Sequence, residues 1–355
     1  MTSKKYILCV ASVLYAFMII NLILWHGVVG HVFMLGEFSR IGSTVFPEPL
    51  TEYIHYSQHH AEFANYAASG LKESFDVLTI GDSFTNGKDG GSYPDCLVNN
   101  YGLKVLNVRL TNYDPVQTLY ILNESGWLDE ISPSVVILES VERSAQKRLG
   151  GKIVIPLKMG ADDVKHLLRI PLSDENLSYG LMPAVMIQAN MKYLTNKLHH
   201  LRNPEELSPE ACITKLERNF FTNTGYENTL LFLAEDLEYL TEPLNAEIMN
   251  QNLNNAANLL KAKGIKLLFF AGVDKYDLYY PYIIDKKGRP ENPFFHKIRE
   301  LQGKDYVFVD SMKLLREALE RGEQDVYWLN DTHWSHKGIK LVCDELVKYI
   351  LPESR

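Results

Sequence analysis

Two short segments carry the residue types that nucleophilic chemistry needs. Gly81-Asp82-Ser83 directly follows the apolar run Asp76-Val77-Leu78-Thr79-Ile80, and Asn330-Asp331-Thr332-His333-Trp334-Ser335 stands about 250 residues later. The run before Gly81 reads as a buried strand. Ser83 then falls just beyond a strand's carboxyl end, where open parallel sheets bind ligands. Gly81 permits a tight turn, and a helix expected after it would aim backbone N–H groups at an anion, as a developing oxyanion requires. In an extended loop, residues two apart point the same way. Asp331 can therefore reach the His333 imidazole and fix its tautomer, leaving the other ring nitrogen to take a proton from a serine. Each segment alone has a plainer reading: Ser83 as a helix cap, and Asp331 with His333 as a capping and packing pair ahead of the last helix.

The elements that must position these residues are legible as alternating strands and helices. Lys104 to Leu110, Ser134 to Val141, Ile265 to Ala271 and Tyr306 to Asp310 read as further strands. Asp114 to Trp127, Asn228 to Lys263, Ser311 to Arg321 and a last segment capped by Ser335 and ending at Ile350 read as helices. Such alternation predicts an α/β fold, a three-layer α/β/α sandwich around a parallel sheet. The pattern breaks over residues 150–223, which read as an insertion of scattered prolines, glycines and short helix-like pieces. Glu52 to Leu71 has the composition of a helix. Its histidines, His55, His59 and His60, have no companion at helical spacing to make a metal site, and read as surface or packing residues.

The N-terminus predicts a membrane tether. Lys4 and Lys5 precede an uncharged run from Tyr6 to Trp25, about 30 Å long as a helix and so about the thickness of a bilayer core. The lysines place the N-terminus in the cytoplasm and all that follows outside. A cleaved signal peptide would have a shorter apolar region and a better cleavage site than Val28-Val29-Gly30. The expected organisation is a cytoplasmic tip and transmembrane signal anchor over 1–30, a linker or helical stem over 31–74 and a catalytic domain over 75–355.

The formal net charge of −8 argues against a nucleic-acid partner. The cysteines Cys9, Cys96, Cys212 and Cys343 lack zinc-site spacing and read mainly as buried apolar thiols. No metal and no soluble cofactor is expected.

Together the two motifs resemble the SGNH (GDSL-like) hydrolase superfamily, in which the nucleophilic serine follows the first strand and Asp and His lie together near the end. The D-x-H-W-S form of the second motif resembles the branch containing the alginate O-acetylation proteins (AlgJ and AlgX types) and the DHHW group. Leu138-Glu139-Ser140-Val141-Glu142-Arg143 resembles that branch's E-x-x-E-R segment. Asp274 to Tyr279 and Asp325-Val326-Tyr327 also resemble it. The likeness spans roughly residues 75–350, with 150–223 unmatched. It implies a Ser83, Asp331, His333 triad and O-acetyl transfer to an extracytoplasmic polysaccharide through an acetyl-serine intermediate. It also implies a membrane-bound O-acyltransferase that delivers the acetyl group. Two departures concern the oxyanion hole: Asn107 to Asn112 offers no glycine, and Glu139 and Arg143 occupy the region of the usual asparagine. Arg109, Asn112, Glu139, Arg143 and Trp334 are therefore the further oxyanion or substrate candidates, with Arg109 alternatively expected to pair with Glu139 or Glu142. The same triad would serve a carbohydrate esterase, and a polysaccharide-binding or assembly adaptor without catalysis is the reading from another class.

Overall fold

A computed structural model describes residues 3–32, 36–70, 72–86, 91–110, 113–153, 160, 164, 183–238 and 245–351, with the backbone alone at 183–185. Nine strands are described: β1 (Ala61–Glu62), β2 (Val77–Gly81), β3 (Val105–Arg109), β4 (Val135–Val141), β5 (Glu206–Ser208), β6 (Ala211–Lys215), β7 (Thr229–Leu233), β8 (Lys266–Gly272) and β9 (Val307–Phe308). Six form one sheet in the order β1-β3-β2-β4-β8-β9, parallel throughout. The central strands β2 and β4 are buried along their whole length, as expected of a parallel sheet covered on both faces. Helices Tyr93–Tyr101, Ser311–Glu320 and His336–Ile350 pack together, as do Pro115–Glu124, Glu142–Leu149 and Ala246–Lys261. This is the expected α/β architecture around a parallel sheet.

The strand order puts the Ser83 turn at the point where the topology reverses. From β2 the chain runs to β3 on one side, then crosses to β4 on the other. A crevice opens outside the carboxyl ends of the strands at such a point. Ser83 is two residues past the end of β2.

Three expectations need correction. The segment expected as one helix from Asn228 to Lys263 begins instead with β7, paired antiparallel to β6 in a small second sheet. Thr229-Leu230-Leu231-Phe232-Leu233 is a short, continuous apolar run, a length at which periodicity does not separate strand from helix. Glu52 to Leu71 is helical only over Phe63–Ser69, and Ala61–Glu62 ahead of it forms the sheet's edge strand. No helix begins over Phe84 to Asn86; among the described residues the next one is Tyr93–Tyr101, capped by Ser92.

Among the described residues, one helix, Ser3–Val32, is long and apolar enough to cross a membrane. The segment expected as a linker or helical stem makes contacts of its own. Glu37–Gly42 is a short helix that docks on the C-terminal part of the chain. Thr51 Oγ1 donates to Asp325, and Tyr53 stacks on Trp328 at 4.4 Å.

Candidate active site

The Ser83 turn is built by its neighbours. Thr85 and Asn86 N–H donate back to the carbonyls of Asp82 and Ser83 at 3.2 and 3.3 Å. The Asp82 N–H donates to Glu139 Oε2 at 2.8 Å, while the Asp82 carboxylate accepts from Val141 N–H at 2.9 Å and from the Arg148 guanidinium. Asp82 therefore organises the turn. A side-chain ladder pins the turn to β3: Thr79 Oγ1 donates to Asn107 Oδ1 at 2.8 Å, and Asn107 Nδ2 donates to Asn86 Oδ1. Gly81 is required by space. A Cβ there would lie 2.4 Å from Glu139 Oε2 and 2.6 Å from Thr85 Cγ2.

Glu139 lies wholly inside, beneath this turn. Burial, then the charge of Asp82, pushes its pKa well above the carboxylate range. Burial pushes Asp82 the same way but is outweighed by Arg148 and the Val141 N–H, and its pKa is lowered. The two acids thus divide into one neutral and one charged member, with Arg148 as counter-ion.

The loop that carries Asp331 and His333 is closed by a bridge between Tyr327 and Trp334. Inside it the chain turns, with Asp331 N–H donating to the Trp328 carbonyl at 3.4 Å. Asp331 reaches its partner through a local Asx turn rather than along an extended strand. Its Oδ1 accepts from the His333 N–H at 3.0 Å and lies 2.7 Å from His333 Nδ1. A carboxylate at Nδ1 keeps the proton there and leaves Nε2 as the basic nitrogen. The Phe84 ring lies 5.2 Å from the His333 ring, so the residue after Ser83 packs beside His333. Ser83 is exposed, and the His333 side chain is 35% exposed.

Two further residues shape this site, neither of them among the sequence candidates. Glu37, in the stem, donates its N–H to Asp331 Oδ2 at 3.3 Å, accepts from Thr332 Oγ1, and brings Oε2 to 3.9 Å from His333 Nδ1. Phe38 N–H donates to the Asn330 carbonyl at 2.8 Å. Gly36 precedes them with φ of 106°, where a Cβ would meet the Asn330 carbonyl at 2.8 Å. The second is Lys275, which is buried under the triad loop. Its Nζ donates to the carbonyls of Trp328, Leu329 and Asp331 at 2.7, 2.8 and 3.1 Å. It also lies 5.0 Å from the centre of the Phe38 ring. Burial pulls its pKa down to about 7 against the charges of Asp331, Asp236 and Glu37. Three carbonyls match the three donors of an ammonium.

The remaining sequence candidates fall in different places. Arg109 ends β3, in register with Gly81, and is exposed. The expected pairing with Glu139 or Glu142 does not form: Glu139 holds the Asp82 N–H, and Glu142 accepts from Asp274 N–H at 3.0 Å and Asn292 at 2.7 Å. Arg143 is bound to Asp274, with Asp236 at 3.5 Å, and is turned away from Ser83 into a buried acidic cluster. Trp334 is 2% exposed, packed against Phe84 and Phe270. It supports the site from below rather than forming its wall. Asn112 lies outside the described residues. Among the described residues, two sets of side chains approach metal-ligand spacing: Glu37, Asp331 and His333, and the buried Glu142, Asp274 and Asp277. In the first, His333 Nδ1 is engaged by Asp331. In the second, Arg143, the Asp274 N–H and Asn292 already occupy carboxylate oxygens.

The electrostatics of His333 set a pH dependence. Burial alone would lower its pKa, but the hydrogen bond and charge of Asp331, with the charges of Glu37 and Asp82, outweigh it and hold the imidazole above its ordinary 6.5. A general base must be neutral, so kcat/KM should rise with pH through this raised pKa. The stability linked to the His333 imidazolium runs the other way. It is fully present below the unfolded value of 6.5 and is lost as pH rises through the higher folded pKa. Asp331→Asn should cut turnover and move the acid limb of the pH–rate profile to lower pH. An unmoved limb would mean that His333 does not set it.

No family model matches the chain, and no curated protein does. Among solved structures it is similar to TesA, at 11% identity and a TM-score of 0.35, over 79% of this chain and 100% of that one. It is also similar to a GDSL-like lipase from Bacteroides thetaiotaomicron, at 12% identity and a TM-score of 0.36, over 81% of this chain and 95% of that one.

Proposed function

We propose that this protein is a serine acyltransferase that moves acetyl groups onto an extracytoplasmic polysaccharide. The observation that carries this reading is the Asp331–His333 pair, with Nδ1 held and Nε2 left basic beside the Ser83 turn. His333 Nε2 takes the Ser83 proton as Oγ adds to the acetyl carbonyl. The tetrahedral intermediate collapses to acetyl-serine, and the leaving alcohol takes the proton from His333. A sugar hydroxyl then adds to acetyl-serine while His333 takes its proton. Collapse releases the acetylated sugar, and the proton returns to Ser83 Oγ. The Ser83 N–H and Arg109 are the donors for the oxyanion, since Arg109 ends the strand beside Gly81.

The distance from the anchor supports a donor delivered at the membrane. Glu37 touches the triad loop and comes five residues after Val32, the last residue of the apolar helix. Five residues span at most about 18 Å. A membrane-bound O-acyltransferase that presents an acetyl group at the outer surface would therefore stand within reach, and the motif resemblance points to the same partner.

The exposure of Ser83 and His333 favours a second reading. Water can reach an acyl-enzyme there, which would make the protein a carbohydrate esterase. A model acetyl ester offered with an oligosaccharide separates the two. Transfer predicts acetylated sugar that grows with acceptor concentration; acetate release indifferent to the sugar would establish the esterase instead.

A further inference from the structure

Helix Pro183–Arg202 belongs to the expected insertion, and neither motif uses it. It packs against the apolar helix Ser3–Val32. The contact is polar: Asn190 Nδ2 donates to the carbonyl and to Oδ1 of Asn21, at 2.9 and 3.0 Å. Asn21 is buried there, while its apolar neighbours Ile19, Ile20, Leu22 and Ile23 are exposed. Further along, Asn196 bonds the Ile41 carbonyl at 2.6 Å and Ser43 Oγ at 3.2 Å. Its protein-facing side is thus accounted for.

The other side is apolar and bare. Met191, Leu194, Leu198 and Leu201 are 51, 44, 55 and 78% exposed. At 3.6 residues per turn they share an arc of about 80°. A stripe of this size on a helix otherwise well anchored to its domain marks a contact surface.

We propose that this stripe lies against the phospholipid bilayer, so that the protein meets the membrane through two helices. The inference rests on reading Ser3–Val32 as a retained membrane-crossing helix. Depth argues for it. Asn21 is four residues short of Trp25, where the apolar run ends, and so about 6 Å inside the hydrocarbon edge. Asn190 is bonded to it at that depth. Leu194 and Leu198 are one and two turns on, about 6 and 12 Å along the axis. Even if the helix ran straight outward, they would reach only the hydrocarbon edge and the headgroup layer. A second contact of this kind would stop the catalytic domain from swivelling about a single anchor and would fix how the triad loop faces the bilayer.

The test uses the full chain in phosphatidylcholine–phosphatidylglycerol nanodiscs. Nitroxide labels are placed at Leu194→Cys, Leu198→Cys, Ile20→Cys and Lys313→Cys in a Cys9→Ala background, and collision with oxygen is compared with collision with a water-soluble nickel complex. Labels at 194, 198 and 20 should favour oxygen, and the label at 313 should favour nickel. Nickel access at 194 and 198, with Ile20 still in lipid, overturns the second contact and leaves the anchor standing. Shielding from both reagents at 194 and 198 also overturns it, in favour of a protein partner on the same face. Nickel access at position 20 overturns the anchor and this inference together.

Discussion

Ser83→Ala should lower acyl turnover by about 10³-fold or more while leaving the fold intact. The residue is exposed, and the turn around it is held by Asp82, Asn86 and Glu139 rather than by the serine side chain. Removing one surface hydroxyl from such a turn alters stability by less than about 0.5 kcal/mol. A separation of activity from stability is the signature expected of a nucleophile. Steady-state turnover of a model acetyl ester, read beside a thermal melt, checks both halves. Retained turnover would remove Ser83 from the mechanism, and a lowered melting temperature would make it a structural residue.

Lys275→Met should have the opposite character, losing stability and activity together. The substitution strands the carbonyls of Leu329 and Asp331 and leaves Trp328 only its 3.4 Å bond from the Asp331 N–H. Orphaned buried acceptors cost about 1–3 kcal/mol each. Those carbonyls belong to the loop that carries His333, so the loss is expected to loosen the Asp331–His333 pair. An unfolding free energy lowered by about 2–6 kcal/mol, with kcat falling and KM little changed in the protein that remains folded, is the expected result. Unchanged stability would mean that the ammonium does not hold the loop.

The parts of the fold that were legible in the sequence are those whose signal is local. β2, β4 and β8 are buried over nearly all their length and so carry apolar stretches, Val77-Leu78, Val135 to Leu138 and Leu267 to Ala271, that stand out in the sequence. Ser335 caps the last helix through its own hydroxyl, accepting from Lys337 N–H at 3.1 Å, and such caps are readable from residue type alone. Asp331 and His333 are two residues apart, and their pairing needs only a turn.

What escaped the sequence depends on distant contacts. The bond from Glu37 N–H to Asp331 spans 294 residues, and nothing in Gly36-Glu37-Phe38 announces it except a glycine. Lys275 falls in the Asp274 to Tyr279 segment singled out by resemblance, but its burial under a loop more than 50 residues away is not readable there. Glu139 stands in the sequence as an oxyanion or substrate candidate. Only the fold shows that it lies under Gly81 and is kept neutral by burial. β7 was misread because five consecutive apolar residues satisfy a strand and a helix equally until β6 supplies the partner.

The central claim, that Ser83 is a nucleophile activated by His333 and Asp331, is tested most directly by covalent capture. The full-length protein is treated with a fluorophosphonate and its peptides are weighed. The account predicts one adduct, on Ser83, absent after Ser83→Ala and slowed at least about 10²-fold by His333→Gln. An adduct on another residue, or none at all in a preparation that turns over acetyl esters, would contradict it.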